Sequence, residues 1–305
     1  MSDTTSHDIV VIGAGAAGLS AVREALQAGL SAAWLEAQMF GGLVLNVNEL
    51  DGAIQGNGAE LSSTWMAEAV EGGAVDLEAA ASGIERDGDA LVVTSDAGRH
   101  RARAVVVASG AAPKKLGVPG EAELEHKGVS HCADCDGPML EGRDVVVVGG
   151  GDSALQSALV LARYCARVHL VHRGSAFRAQ RHFIDAVGAA PNVAVRFGST
   201  VTEVLGTDGV EGARVEGTVL PCGGVFVYIG LQPCSDFLPA QIERDSRGAV
   251  KTDASLETAM AGVFAAGAVR SGCGGMLEHA VAEGRAAARA AAARLGAAID
   301  TGANR

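Results

Sequence analysis

"DIVVIGAGAAGLSAVREALQAG", residues 8–29, decides how the rest of the chain is read. A β-branched apolar run leads into glycines, and the glycines open an Ala/Leu-rich segment of helical character. The spacing is Gly13-x-Gly15-x-x-Gly18. Glycine at these positions permits the tight turn, lets the backbone approach a pyrophosphate and brings helix against strand. The unpaired N–H groups and partial positive charge of the helix start then meet the phosphates. An acid about 20 residues further on accepts ribose hydroxyls in such sites. Glu36 ends the next apolar run, "SAAWLEA" (31–37). A bare GxGxxG is common in Ala/Gly-rich chains; strand, helix and acid together predict a dinucleotide site.

The pattern recurs in "DVVVVGGGDSALQSALVLARYC" (144–165), with Gly149-x-Gly151-x-x-Ala154 at its turn. The strand that follows, within "ARVHLVHR" (166–173), ends without an acid. Arg173 and Arg178 stand where cations would hold a 2′-phosphate, which points to NADPH over NADH. Two solvated arginines at a strand end are the plainer alternative. Elsewhere the patterning predicts a helix over 59–70, antiparallel strands over 80–108, and a helix near 180–188. It also predicts strands in "GGVFVYIG" (223–230) and "AGVFAAGAV" (261–269), then a helix over 277–295. A repeated strand–turn–helix unit implies an α/β protein with two nucleotide-binding folds. "KKLGVPGEAE" (114–123) and "LQPCSDFLP" (231–239) read as linkers. They divide the chain into a discontinuous first domain, residues 1–117 and 246–305, and an inserted second domain, 118–245.

Composition narrows the function classes. At 305 residues and 48% hydrophobic, the chain can bury two sizeable cores. A net charge of −12 argues against nucleic acid or an anionic membrane as partner. No uncharged apolar run reaches the length of a membrane span, and "MSDTTSHD" lacks the features of a signal peptide. The expected location is the cytoplasm.

Six cysteines are too scattered for a disulfide scaffold, and only one pair is close in sequence. That pair lies in "HCADCDGPM" (131–139). A zinc ribbon would need a second such pair, so no metal is expected. Cys132 and Cys135 can close a disulfide across the first turn of a helix. A sulfur at a helix start becomes a usable nucleophile and leaving group, and Asp136 can handle protons as the bond opens. The plainer alternative is two buried cysteines beside an acid that helps the helix.

These stretches together resemble the low-molecular-weight thioredoxin reductases, a branch of the flavin-dependent pyridine nucleotide-disulfide oxidoreductases. The matching segments, in the family's order, are "VIGAGAAGLSA", Gly41-Gly42, "VVVASGAAPKKLGVPGE", "GVSHCADCDG", "VVVVGGGDSAL", "VHLVHR" with "FRA", "GVFVYIG" and "GVFAAG". The resemblance implies two Rossmann-like, three-layer ββα domains, the second inserted into the first. It implies FAD on the first, held by Gly13, Gly15, Ala16, Ala17, Gly18, Glu36, Gly41, Gly42, Ala108, Ser109, Gly110, Gly267, Ala268, His279 and Ala280. It implies NADPH on the second, with NADH or another donor as alternatives, held by Gly149, Gly151, Asp152, Ser153, Ala154, His172, Arg173 and Arg178. Cys135 would face the flavin, Cys132 would attack the substrate disulfide, and Asp136 would be the acid–base group. It further implies a homodimer, and an inserted domain that swings about its hinges. The partner would be a thioredoxin-like protein or a small-molecule disulfide or dithiol.

The chain departs from the family at four places. Ala268 stands where an aspartate usually bonds the ribityl chain. Gly174 replaces a second arginine after His172-Arg173. Pro138, Met139 and Leu140 replace an aromatic pair that helps dock thioredoxin. Glu278-His279-Ala280 replaces "RQA". These departures keep alternatives in view: a thiol oxidase that closes a disulfide in a small molecule with oxygen as acceptor, a reductase fed by a ferredoxin-like donor, and a non-enzymatic flavin or nucleotide sensor.

Overall fold

The computed structural model describes residues 5–47 and 50–297. The chain divides into two compact units. One runs to Ala112 and resumes at Gln232; the other spans Pro113–Leu231.

In the first unit, the strand Thr5–Ile12 lies between Ala32–Leu35 and Gly98–Val107, parallel to both. The sheet extends from Ala32–Leu35 to Val75–Asp76. Beyond Gly98–Val107 it continues through Ala90–Ser95 to Ala81–Asp87, an antiparallel meander. Gly98–Val107 shares one edge between two partners. Its first half pairs with the meander through Ala102, and Val105–Val107 pair in parallel with Val263–Ala265.

Alternation along the central strand generates the layers. Ile9 and Val11 join a core with Leu19, Val22 and Ala25 of the helix Ala16–Gln27, and with Ala287, Ala288 and Ala291 of Leu277–Arg294. Val10 and Ile12 point the other way, to Ile84, Leu91 and Val93 of the meander. Successive strand residues face opposite sides, so a run that is apolar at every position demands cover on both faces. Each fully buried Val or Ile contributes roughly 1.5–3 kcal/mol.

The second unit repeats the plan. Its parallel sheet runs in the order Val129–Ser130, Gly224–Tyr228, Asp144–Gly149, Arg167–His172, Val193–Phe197. Val145 and Val147 face Leu155, Ala158 and Leu161 of the helix Asp152–Leu161, and Val187 of Arg181–Ala189. Val146 and Val148 face Val204, Ala213 and Leu220 of an antiparallel sheet formed by Val201–Gly206, Val210–Val215 and Thr218–Pro221. The expected pair of three-layer ββα nucleotide folds, one inserted into the other, is what the chain forms.

The boundaries move. The first crossing falls at 112/113 instead of 117/118, and the second at 231/232 instead of 245/246. The larger shift has a packing cause: Leu238 and Ile242 are buried with Val10, Val105 and Val250 in the first unit's core. Residues 232–245 therefore belong to the first unit, although their Pro-bearing sequence reads as a linker.

Candidate functional site

The first glycine turn is a packed device. Gly13 has φ +104, and a Cβ there would lie 2.4 Å from the Ala108 carbonyl oxygen, so only glycine fits between the two strand ends. Gly18 packs as closely, on the Gly13 carbonyl oxygen. Gly15 differs. It precedes the helix in extended conformation with no side-chain cap, and a Cβ there would meet only the Gly41 oxygen at 3.9 Å. Space open to a ligand therefore lies in front of the uncapped amides of Ala16, Ala17 and Gly18, as a pyrophosphate needs.

Glu36 completes the cradle. One of its oxygens accepts from Ala14 N–H at 2.9 Å and the other from Gln38 N–H at 3.0 Å. The carboxylate is thereby oriented, with lone pairs left for hydroxyl groups. Gly41 donates to Ala14 O at 2.7 Å, and Gly42 lies over Gly15.

The remaining expected contacts of this unit divide in two. Gly267 and Ala280 converge on Ala17: a Cβ on Gly267 would lie 2.8 Å from that of Ala17 and 3.9 Å from that of Ala280. Ala268 sits half-buried in the 3-10 turn Gly267–Val269. By contrast, the Ser109 hydroxyl is engaged, donating to Cys234 O at 2.6 Å, while Gly110 O accepts from Cys234 N–H. His279 is exposed and its ring rests on Gly274. A residue outside the sequence-based set holds the turn. Glu283 accepts from Gly267 N–H at 2.9 Å and forms a half-buried ion pair with Arg270. Cys273 also lies against Glu283, and burial is the main cause that pushes its thiol up, so it makes a poor thiolate.

The second turn has the same glycine logic with different flanks. Gly149 has φ +155, and a Cβ would lie 2.3 Å from Tyr228 O. Gly151 precedes the helix without a side-chain cap, and nothing lies within 4 Å of where its Cβ would be. Ala154 is buried and Ser153 is exposed at the helix start. Asp152, expected to meet the nucleotide, accepts from the Gln180 backbone N–H at 2.6 Å and from its side-chain amide at 2.9 Å. Those bonds hold its carboxyl below the usual range. It anchors the loop that carries Arg178. His172 likewise is a strut: it is 7% exposed, its ring lies beneath Gly150, and Nε2 is 3.1 Å from Ala176 O.

Arg173 and Arg178 are exposed, and neither pairs with a carboxylate among the described residues. Beside them, Phe177 and Phe197 pack with ring centroids 4.7 Å apart, and Phe197 is 45% exposed. No sequence motif marks that aromatic shelf.

The dithiol segment follows the strand Val129–Ser130. Cys132 and Cys135 form a disulfide with Cα atoms 5.3 Å apart. The helix expected here is a single turn, Ala133–Asp136, running into a 3-10 turn over Gly137–Leu140, with Pro138 ending the regular pattern. Stabilisation of the sulfur therefore comes from one amide rather than from a helix dipole: Cys135 N–H donates to Cys132 Sγ at 3.2 Å. Ser130 Oγ accepts from Cys132 N–H at 3.0 Å, and Tyr228 Oη accepts from Ala133 N–H at 3.0 Å. Asp136 is half-buried beside Cys135, which is exposed. His131 Nδ1 lies 3.1 Å from Val227 O, with Glu125 3.5 Å from Nε2. Where the family places an aromatic pair, Met139 is 76% exposed. Gly137 packs against the ring of Tyr164, which is itself 39% exposed.

Comparison with known proteins places the chain. The family model described as pyridine nucleotide-disulphide oxidoreductase matches residues 7–291. A thioredoxin reductase of Treponema pallidum is 36% identical over 301 residues, covering 95% of this chain and 98% of that protein. One from Listeria monocytogenes is 37% identical over 286 residues, covering 88% of each. Among solved structures, a Lactococcus lactis thioredoxin reductase superposes with TM-score 0.86 at 30% identity, covering 93% of this chain and 97% of its own. One from T. acidophilum gives TM-score 0.87 at 28% identity, covering 95% and 99%.

Proposed function

The chain belongs to the pyridine nucleotide-disulphide oxidoreductase family and is a flavin-dependent disulfide oxidoreductase; on that footing we propose that it couples NADPH oxidation to reduction of a thioredoxin-like protein through Cys132–Cys135. The observation that carries this reading is the closed disulfide whose Cys132 sulfur receives the Cys135 amide. The names of the relatives matched over nearly the whole chain favour a reductase over a thiol oxidase, a ferredoxin-linked enzyme or a sensor.

The residues present fit both cofactors. Gly15 with the uncapped amides behind it, oriented Glu36, and the Gly267–Ala17–Ala280 cluster would hold FAD on the first unit. Gly151, Arg173 and Arg178 would hold NADPH on the second, with Phe197 offering a face to the adenine. Bound FAD supplies the two-electron chemistry that links a nicotinamide to sulfur.

The protein's own part is sulfur chemistry. Once reduced, Cys132 is the sulfur whose negative charge is met by an amide, so it is the nucleophile toward an external disulfide. Exposure alone would choose Cys135; nucleophilicity depends on the thiolate, and the amide decides. Attack joins Cys132 to one substrate sulfur and releases the other as a thiol, with Asp136 supplying the proton. Cys135 then displaces the second substrate thiol and restores the disulfide. Met139 and Tyr164, with Pro138, offer an apolar surface beside this chemistry for a protein substrate.

Four other cysteines remain free thiols, which suits a reducing compartment such as the cytoplasm. We extend the reading to a homodimer, testable by light scattering on the eluting protein. The direct test is NADPH-driven reduction of a thioredoxin-like protein. Wild type turns over and Cys132→Ser does not; turnover by that variant would refute the relay.

A further inference from the structure

Opening the Cys132–Cys135 bond removes the covalent clamp from a helical turn of four residues, too short to hold itself together. What remains are the packing of buried Ala133 in the second unit's core and a few hydrogen bonds. Asp136 N–H donates to Cys132 O at 3.2 Å within the turn, and Ser130 Oγ takes the Cys132 amide. Among the described residues, the hydrogen bond that reaches this turn from outside the segment is that of Tyr228, whose phenol oxygen takes the Ala133 amide across 95 residues of chain.

Tyr228 is itself firmly placed. It ends the strand Gly224–Tyr228, sits in register with Gly149, and packs its main-chain oxygen on that glycine. Its hydroxyl also bonds Ser157, on the helix that begins at the second glycine turn. Burial, with smaller effects from the Asp134 and Asp136 carboxylates, pushes the phenol up, so it stays a neutral acceptor. The charged or titratable groups around the segment include Asp134 and Asp136 on the turn, Tyr228 on the strand, Tyr164 against Gly137, and His131 with Glu125 and Lys115 at its base.

We infer that Tyr228 is a positioning residue for the dithiol: by holding the Ala133 amide it keeps the Cys135 amide on the Cys132 sulfur after the disulfide opens. In the oxidised state the S–S bond fixes this geometry, so the phenol matters most in the reduced state. Removing it therefore raises the cost of the Cys132 thiolate and shifts the couple toward the disulfide. The inference rests on the redox role of Cys132–Cys135 proposed above.

The test is Tyr228→Phe in the full-length flavoprotein, which keeps the ring and removes only the acceptor. Two readouts are compared with wild type. The first is the rate of Cys132 alkylation by iodoacetamide against pH in the reduced protein, located by mass spectrometry. The second is equilibration with dithiothreitol, in which the reagent's two thiols close to a cyclic disulfide as Cys132–Cys135 opens to the dithiol. One hydrogen bond of ordinary net strength corresponds to about fivefold in an equilibrium constant. Tyr228→Phe is expected to move the alkylation profile to higher pH and to favour the disulfide about fivefold. Flavin content and melting temperature should remain near those of wild type. An unchanged profile and an unchanged equilibrium would overturn the inference. A fall in melting temperature with neither redox readout moved would also overturn it, leaving Tyr228 a packing residue. If NADPH fails to open the wild-type disulfide, the proposed function fails instead, whatever the variant does.

Discussion

The two glycine turns share geometry and differ in what stands beside them. Gly13 and Gly149 are both held at positive φ against a neighbouring strand's carbonyl, and Gly15 and Gly151 both leave open ground before a helix. The first turn is flanked by an acid held by two amides and roofed by Gly41 and Gly42. The second is flanked by two exposed arginines, neither paired with a carboxylate among the described residues, and by an exposed phenylalanine. A scaffold that reads pyrophosphate through its backbone cannot tell one dinucleotide from another. The strand end that follows does so: a carboxylate suits free ribose hydroxyls, and guanidinium groups suit a 2′-phosphate. The covered turn suits a resident cofactor and the open one suits a visitor.

Alanine at the two first glycines separates these roles most sharply. Gly13→Ala places a Cβ against the Ala108 oxygen in a left-handed backbone, and the purified protein is expected to lack flavin, read from its visible spectrum. Gly149→Ala meets the Tyr228 oxygen just as closely, yet should retain flavin and lose kcat/KM for NADPH by roughly 100-fold or more. Equal flavin loss in both variants would erase the distinction between the turns.

Next in size is the reading of the phosphate. Arg173→Ala and Arg178→Ala should each lower kcat/KM for NADPH by roughly 10–100-fold, the span of a charge-assisted hydrogen bond, while leaving NADH unchanged. Equal losses on both nucleotides would show that the arginines do not sense the 2′ position.

How much of this could be read beforehand follows from distance along the chain. Both turns, Glu36 and the cysteine pair are local patterns, and each layer follows from a strand apolar on both faces. Tyr228 and Glu283 act on residues 95 and 16 positions away, through contacts that no short spacing encodes. The signal available for Tyr228 was its place at the end of a parallel strand, where α/β sheets assemble their sites. The domain boundary at 231/232 is hidden because Leu238 and Ile242 flank Pro239 in a stretch of turns that forms no helix or strand, although both are buried. Both Asp152 oxygens hold Gln180 and His172 Nε2 meets Ala176 O, contacts that no short motif announces.

Smaller effects sharpen the comparison further. Ala268→Asp restores an acceptor at the ribityl position implied by the family resemblance. It should tighten FAD about fivefold, measured by apoprotein reconstitution. Unchanged affinity would mean that the Gly267–Glu283 arrangement already compensates.

Burial lowers the pKa of His7 and His100 in the first unit and of His169 in the second. Their folded pKa values lie below the unfolded value of about 6.5, so protonation favours the unfolded chain. Stability is therefore held above that pH and lost as pH falls through the lowered values. The melting temperature should decline below about pH 6.5, and His100→Gln should flatten the decline. An identical slope in that variant would remove His100 from the account.

The central claim is that the flavin and Cys132–Cys135 form one electron store, and anaerobic reductive titration with dithionite counts it directly. Each centre takes one electron pair. Wild type is predicted to consume about two reducing equivalents of two electrons per flavin, and Cys135→Ser about one. A wild-type protein that stops at one equivalent, with its disulfide still closed, would contradict the account.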